Sequence, residues 1–272
     1  PTAEIDDRTV LAVEHVAKDF PIRGGMWSRA RGVVHAVRGV CLAARQGEFI
    51  GLVGRNGAGK TTLLHLIPRL DDPTHGQVLL DGAETSRLAR SEIVRRVALV
   101  PQKPYLFSGT IASNLRFGRP EATDEQLWEA LETAQAADFV RRMPEQLETN
   151  VSQGGTTVSG GQRQRLSIAR ALIADPVVHL FDDSFSALDV TTDAALRAAL
   201  RPVTRDVTQI VVAQRVATVL DADQILVLDD GRITARGTHA ELLESSATYR
   251  EIVDSQLSPE DPSADTEAEA AR

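Results

Sequence analysis

A single cysteine, Cys41, stands in 272 residues, so no internal disulfide is available and a disulfide-stapled scaffold is excluded. A chain this poor in cysteine suits a reducing compartment, and a cytosolic location is expected. No apolar run approaches the roughly 18 residues that would span a bilayer. The N-terminus, Pro-Thr-Ala-Glu-Ile-Asp-Asp, lacks the basic-then-apolar pattern of a signal peptide. It also lacks an initiator methionine, as expected from processing or from excision out of a longer chain. Positive charge is in deficit: 30 Lys plus Arg against 38 Asp plus Glu leave a net charge of −8, the wrong sign for binding nucleic acid through the overall field. A local basic patch stays open.

What is present is ordinary for a globular chain. Hydrophobic residues at 42% and charged residues at 25% exclude collagen-like and wholly disordered readings. The length has room for one large α/β domain or two small ones. Segments of strand character at 11–20, 33–43, 48–53, 78–80, 97–100, 177–181, 208–213 and 224–228 alternate with helical ones. Several are short continuous apolar runs, as expected for parallel strands buried on both faces. Between 124 and 174 the texture turns to Ala, Leu, Glu, Gln and Arg at helical spacing with no convincing strand, which predicts a helical insertion. Residues 258–272 carry five acids, two prolines and no large apolar side chain, and a disordered tail is expected there. Asp229-Asp230-Gly231 between two apolar runs reads as a hairpin turn rather than a metal site.

The sharpest local signal is Gly54-Arg55-Asn56-Gly57-Ala58-Gly59-Lys60-Thr61, directly after an apolar strand and before the helical stretch beginning at Thr62. This is the Walker A pattern in its required strand-loop-helix context. Glycines let backbone N–H groups turn inward around a phosphate, the helix N-terminus adds its positive dipole end, Lys60 brings a point charge, and the Thr61 hydroxyl can ligate Mg²⁺. A carboxylate at the end of a neighbouring strand should complete the Mg²⁺ shell, and Asp182, closing Val177-Val178-His179-Leu180-Phe181, is placed to do so. His179 in this run is expected to be a packed core residue.

Between these motifs lies Val158-Ser159-Gly160-Gly161-Gln162-Arg163-Gln164-Arg165. Its Ser-Gly-Gly opens a helix and offers a second phosphate-binding end with no use for the same nucleotide. The segment closely resembles the signature motif of ATP-binding cassette (ABC) proteins, in which it completes the site of a facing subunit. Gln102 resembles the Q-loop glutamine, a further contact to ATP and Mg²⁺, and Ser186-Ala187-Leu188-Asp189 resembles the D-loop. The resemblance runs from about residue 11 to 256. It implies a P-loop NTPase core of the ABC type, with an antiparallel β subdomain and an inserted α-helical subdomain. The implied limits are an N-terminal segment 1–10, a core of 11–110 and 175–256, a signature subdomain 111–174, and a tail 257–272. Phe20 aligns with the aromatic that stacks on adenine.

The segments Pro104-Tyr105-Leu106-Phe107-Ser108-Gly109-Thr110 and Gly237-Thr238-His239-Ala240-Glu241-Leu242 are similar to exporters, where the cassette is usually fused behind six transmembrane helices. This implies an excised domain from the cytoplasmic face of a membrane transporter. At 21–37 the chain departs from exporters and resembles peptide-importer ATPases. Trp27 with Arg23, Arg29 and Arg31 there is expected to form a solvated loop near the adenine pocket rather than a nucleic-acid contact. Gln153 stands where exporters commonly have Glu, in a segment that contacts the opposite transmembrane half, and Val158 replaces a Leu.

Two departures bear on mechanism. After the Mg²⁺ aspartate the family usually has Glu as general base, and here Asp183 falls one bond, about 1.5 Å, short. Misplacements of this size cost on the order of 100-fold in rate. Gln214 replaces the histidine that contacts the γ-phosphate and braces the base; it can donate a hydrogen bond but carries no proton charge. The chain thus resembles the degenerate half of a heterodimeric ABC exporter, binding ATP weakly and lending its signature to a partner with Glu and His in place. A homodimeric exporter or importer ATPase with slow hydrolysis, and a non-hydrolysing regulatory module, are the alternatives.

Overall fold

The computed structural model describes residues 5–22 and 32–257. The readings of a solvated loop around Trp27 and of a disordered acidic tail lie outside these residues. In chain order the strands are β1 (Thr9–Ile22), β2 (Gly32–Arg45), β3 (Phe49–Val53), β4 (His75–Leu80), β5 (Ala83–Glu84), β6 (Val97–Val100), β7 (Gly109–Thr110), β8 (Asn150–Val151), β9 (Val178–Asp182), β10 (Thr208–Val212), β11 (Gln224–Asp229) and β12 (Arg232–Gly237). The helices are α1 (Lys60–Leu66), α2 (Arg90–Arg96), α3 (Ile111–Leu115), α4 (Asp124–Thr133), α5 (Ala137–Arg141), α6 (Gly160–Ile173), α7 (Val190–Val203), α8 (His239–Ser245) and α9 (Ala247–Leu257).

Two sheets carry the architecture. The central sheet runs β12-β11-β3-β10-β9-β6, parallel except for the edge hairpin to β12. A second, antiparallel sheet runs β2-β1-β4-β5. Every residue of β9 is buried, as its unbroken apolar run requires in a parallel strand covered on both faces. Helix α1 lies between the sheets: Leu63, Leu64, Leu66 and Ile67 share one apolar cluster with Leu11, Val13 and Val40 of the antiparallel sheet and with Ile50, Leu180 and Ile210 of the central one. This burial holds the helix, and so the loop before it, against both layers. A second cluster joins α3, α4, α5 and α6 to the other face of the central sheet through Phe181, Val211 and Val227.

The α/β architecture and most strand positions match expectation. One correction concerns 124–174, where a strand is present: β8 pairs with β7 through Gly109–Val151 and Thr110–Asn150. Two residues are too short to show the alternation by which strands are read from sequence. Asp230 and Gly231 form the hairpin turn between β11 and β12, both at positive φ.

His179 is a core residue, 3% exposed and stacked on Phe181, with ring centroids 5.7 Å apart. Its Nδ1 has no hydrogen-bond partner among the described residues, and burial pushes its pKa down to about 4. Between pH 6.5 and about 4 the unfolded chain therefore takes up a proton that the folded chain refuses. The corresponding stability is fully present above pH 6.5 and is lost as pH falls through this window, by about 2 kcal/mol at pH 5. Urea melts at pH 7 and pH 5 should show wild type losing that much more than His179→Leu; equal losses would show that His179 does not carry the effect.

Candidate functional site

The loop between β3 and α1 is held by close backbone approach. A Cβ on Gly59, at φ +97, would stand 2.1 Å from the Ala36 carbonyl of β2, and one on Gly54 would stand 2.1 Å from the Leu228 carbonyl of β11. Only glycine lets the loop turn against both strands. The hairpin turn continues the junction: the Gly231 N–H donates to Ala58 O at 3.1 Å, and the Arg38 N–H donates to Gly231 O at 2.8 Å. Arg38 also closes an ion pair with Asp230 at 2.8 Å.

The loop walls a cavity of about 470 Å³, within the range of small-molecule sites. Asn56, Gly57, Ala58, Gly59, Lys60, Thr61 and Thr62 meet Gln102, Asp182, Asp183 and Gln214 there. The last of these, from Gln102 on, come from strand ends and loops far apart in sequence. Each lies at the C-terminal edge of the parallel sheet, where the fold leaves a crevice.

Lys60 is nearly buried, and its Nζ donates to Gly54 O at 2.6 Å and Arg55 O at 2.9 Å. Burial lowers its pKa, while the Asp183 and Asp182 carboxylates oppose that shift and favour its charge. The Thr61 hydroxyl donates to Asp182 Oδ1 at 2.9 Å. Burial raises the Asp182 pKa, against the Thr61 hydrogen bond and the positive charges nearby. His65, one turn along α1, brings Nε2 to 3.7 Å from Asp182 Oδ2. Asp183 adopts φ +49, and its Oδ2 accepts from Gln102 Nε2 at 3.0 Å and from the Ser186 hydroxyl at 3.0 Å. The Q-loop and D-loop candidates thus both reach the second aspartate.

Three other expected site residues are not among those that line the cavity. Gly54 and Arg55 start the loop but do not line the cavity; Arg55 instead pairs with Glu251 of α9 at 2.7 Å. Phe20, on β1, is 40% exposed with Lys18 Nζ 5.1 Å from its ring centroid, and it stands outside the lining, opposite Val34 in the β1–β2 ladder. Val33 and Val34 themselves line the cavity, with His35, Ala36, Arg38, Asp230 and Gly231. Sequence reasoning missed these, because they sit in a strand and a turn without a motif. The sequence holds no signal for them: that Val33 and Val34 are both exposed, a break of period-2 burial, is seen only in the folded chain.

The signature residues open α6 away from this cavity. Ser159 caps the helix, its hydroxyl accepting from Gln162 N at 3.2 Å while Gln162 Oε1 accepts from Ser159 N at 2.9 Å. Position 161 lies beside the D-loop: a Cβ there would be 3.7 Å from Ala187 O. Asp189 caps α7 by accepting from Thr192 N at 2.9 Å. Signature and D-loop therefore share one surface.

A parallel sheet ending in a glycine-turned loop and a lysine-led helix, with a carboxylate strand alongside, defines a P-loop nucleotide-binding domain. The ABC transporter family model matches residues 37–186, and the chain belongs to that family. An uncharacterized ABC transporter ATP-binding protein of Mycobacterium tuberculosis is 48% identical over 220 residues, covering 80% of this chain and 38% of its own length. A β-(1→2)glucan export ATP-binding/permease protein of Nitrobacter winogradskyi is 42% identical over 222 residues, covering 82% of this chain and 36% of its own. The structure of a bacterial Atm1-family ABC exporter with ATP bound superposes with a TM-score of 0.83 at 32% identity, covering 95% of this chain and 44% of that one. The chain thus spans about two fifths of the length of these relatives. None of its described helices is long and apolar enough to cross a membrane.

Proposed function

We propose that the chain is the degenerate half of a heterodimeric ABC exporter, at the cytoplasmic face of the membrane. It would bind Mg-ATP at its own cavity and lend its signature to a second nucleotide-binding domain that carries Glu and His. The observation that carries this reading is that Asp183 and Gln214, the two departures from the family pattern, line one cavity with Lys60 and Asp182. Both weaken the same step.

The residues fit the nucleotide. The loop's glycine-dependent turn and the inward Lys60 ammonium suit a phosphate chain, and the Thr61 hydroxyl and Asp182 carboxylate are the hard oxygen donors that Mg²⁺ takes, with Gln102 beside them. Mg-ATP, when bound, would supply the phosphates over which the two domains close, and the phosphoryl group whose hydrolysis would power export. In this reading Lys60 draws the phosphates in, Gln214 donates toward the terminal phosphate, and Asp183, held by Gln102 and Ser186, is too short to polarise an attacking water well. Residues 11–110 and 175–256 form the ATP-binding core. Residues 111–174 form the subdomain that presents Ser159, Gly160, Gly161 and Gln162 to the partner's nucleotide, with Asp189 at the same junction. The transmembrane domains belong to the rest of the transporter.

The test is Mg-ATP binding and phosphate release by the chain alone, at concentrations that permit dimerisation, and then with a partner domain bearing Glu and His. Binding with negligible release alone, and release on mixing, is the expected result. Brisk, concentration-dependent release by the chain alone would make Asp183 a sufficient base and overturn the degenerate-half reading in favour of a homodimer.

A further inference from the structure

The last helix reaches back to the nucleotide site. Helix α9 is anchored near its start, where Tyr249 is fully buried with its hydroxyl 2.8 Å from His239 Nδ1, and Ile252 and Val253 pack on the core. Burial pushes the Tyr249 hydroxyl up to about 12, so this hydroxyl keeps its proton across ordinary pH. From there the helix carries Gln256 to the loop after β10. Its Nε2 donates to Gln214 O at 2.7 Å, and its Oε1 accepts from Val216 N at 2.7 Å.

The two backbone groups flank Arg215, which has an extended conformation (φ −96, ψ 122). An extended residue offers the preceding carbonyl and the following N–H on one side, and a residue of a parallel neighbour strand would bind this same pair. The carboxamide of Gln256 therefore stands in for the N–H and C=O of one residue of a parallel strand, beyond the end of β10. The backbone it grips is that of Gln214, a residue that lines the cavity. A second tie from α9, Glu251 to Arg55, joins two exposed side chains, and a pair of that kind contributes little.

We infer that Gln256 is a positioning residue for the nucleotide site: its carboxamide clips the backbone of residues 214–216 and thereby sets where Gln214 meets the terminal phosphate. Gln256 does not itself line the cavity, so it acts through Gln214. This inference rests on the nucleotide reading above. It predicts a discrimination effect, because ADP lacks the phosphate that Gln214 faces.

The experiment measures Mg-ATP and Mg-ADP affinities of the full chain by calorimetry for wild type, Gln256→Met, Gln214→Ala and the double variant. Gln256→Met keeps side-chain length and removes both bonds. It should weaken ATP binding by about fivefold to tenfold, the scale of one or two lost hydrogen bonds, and leave ADP within about twofold. Gln214→Ala should reproduce that loss, and the double variant should add nothing further. Gln256→Glu keeps the acceptor for Val216 N and should fall between the two; it also carries the test if Gln256→Met does not fold. An unchanged ATP-to-ADP ratio, or additive losses in the double variant, would reduce Gln256 to a structural role. If wild type binds no Mg-ATP, the nucleotide reading falls first and this inference with it. Wild-type binding lost in Lys60→Ala but unaltered in Gln256→Met overturns the clip alone.

Discussion

Replacing Lys60 with Ala should weaken Mg-ATP binding by more than about 100-fold while leaving the chain folded. The ammonium is nearly buried, and the Asp183 and Asp182 carboxylates favour its charge. Removing one partner of a desolvated, hydrogen-bonded charge pair typically costs about 2–5 kcal/mol, which is 30-fold or more in affinity. Three losses combine here. The phosphates lose their point charge, the two carboxylates are left to repel an anionic ligand, and the carbonyls of Gly54 and Arg55 lose the donor that ties the loop together. Circular dichroism separates loss of fold from loss of binding. An affinity within about tenfold of wild type in a folded variant would move the phosphate site away from this loop.

Restoring Asp183→Glu and Gln214→His together should raise phosphate release at this site by about 100-fold or more, the scale of a repositioned general base. Each single change should give much less, because in the proposed reading the two side chains act on one step and such effects are strongly non-additive. A pH dependence should appear with the histidine: its ordinary pKa near 6.5 adds an acidic limb that glutamine cannot have. The backbone sets a small opposing term. Asp183 sits at φ +49, a region Asp tolerates better than longer side chains, so some of the gain is offset by strain at Glu. The measurement is phosphate release at concentrations that allow the doubly restored chain to pair with itself. If that variant binds Mg-ATP, dimerises and stays inactive, the two missing side chains are not what limits the site.

Motifs that are continuous along the chain are legible in the amino-acid sequence. Gly54 to Thr61 needs nothing but its own backbone freedom and the strand and helix at its ends, and the apolar run closed by Asp182 announces a strand buried on both faces. The helical texture of 124–174 is equally local. What is not legible depends on chain segments meeting. β7 and β8 are two residues each and exist only because they find one another. The β2 wall of the cavity, from Val33 to Ala36 and Arg38, carries no motif, and it faces the phosphate loop only because α1 is packed between two sheets.

The chemistry of the two departures, Asp183 and Gln214, follows from side-chain length and charge, which the sequence by itself determines. That they share one cavity with Lys60 was decided by the parallel register of β3, β10 and β9, which brings three strand ends to one edge. The clip from Gln256 is further still from sequence reasoning, because an amide 42 residues away gains meaning only when a helix delivers it to a loop. Local backbone preference and apolar pattern are written along the chain. Long-range hydrogen bonds depend on where separate elements come to rest, and packing of the two apolar clusters settles that.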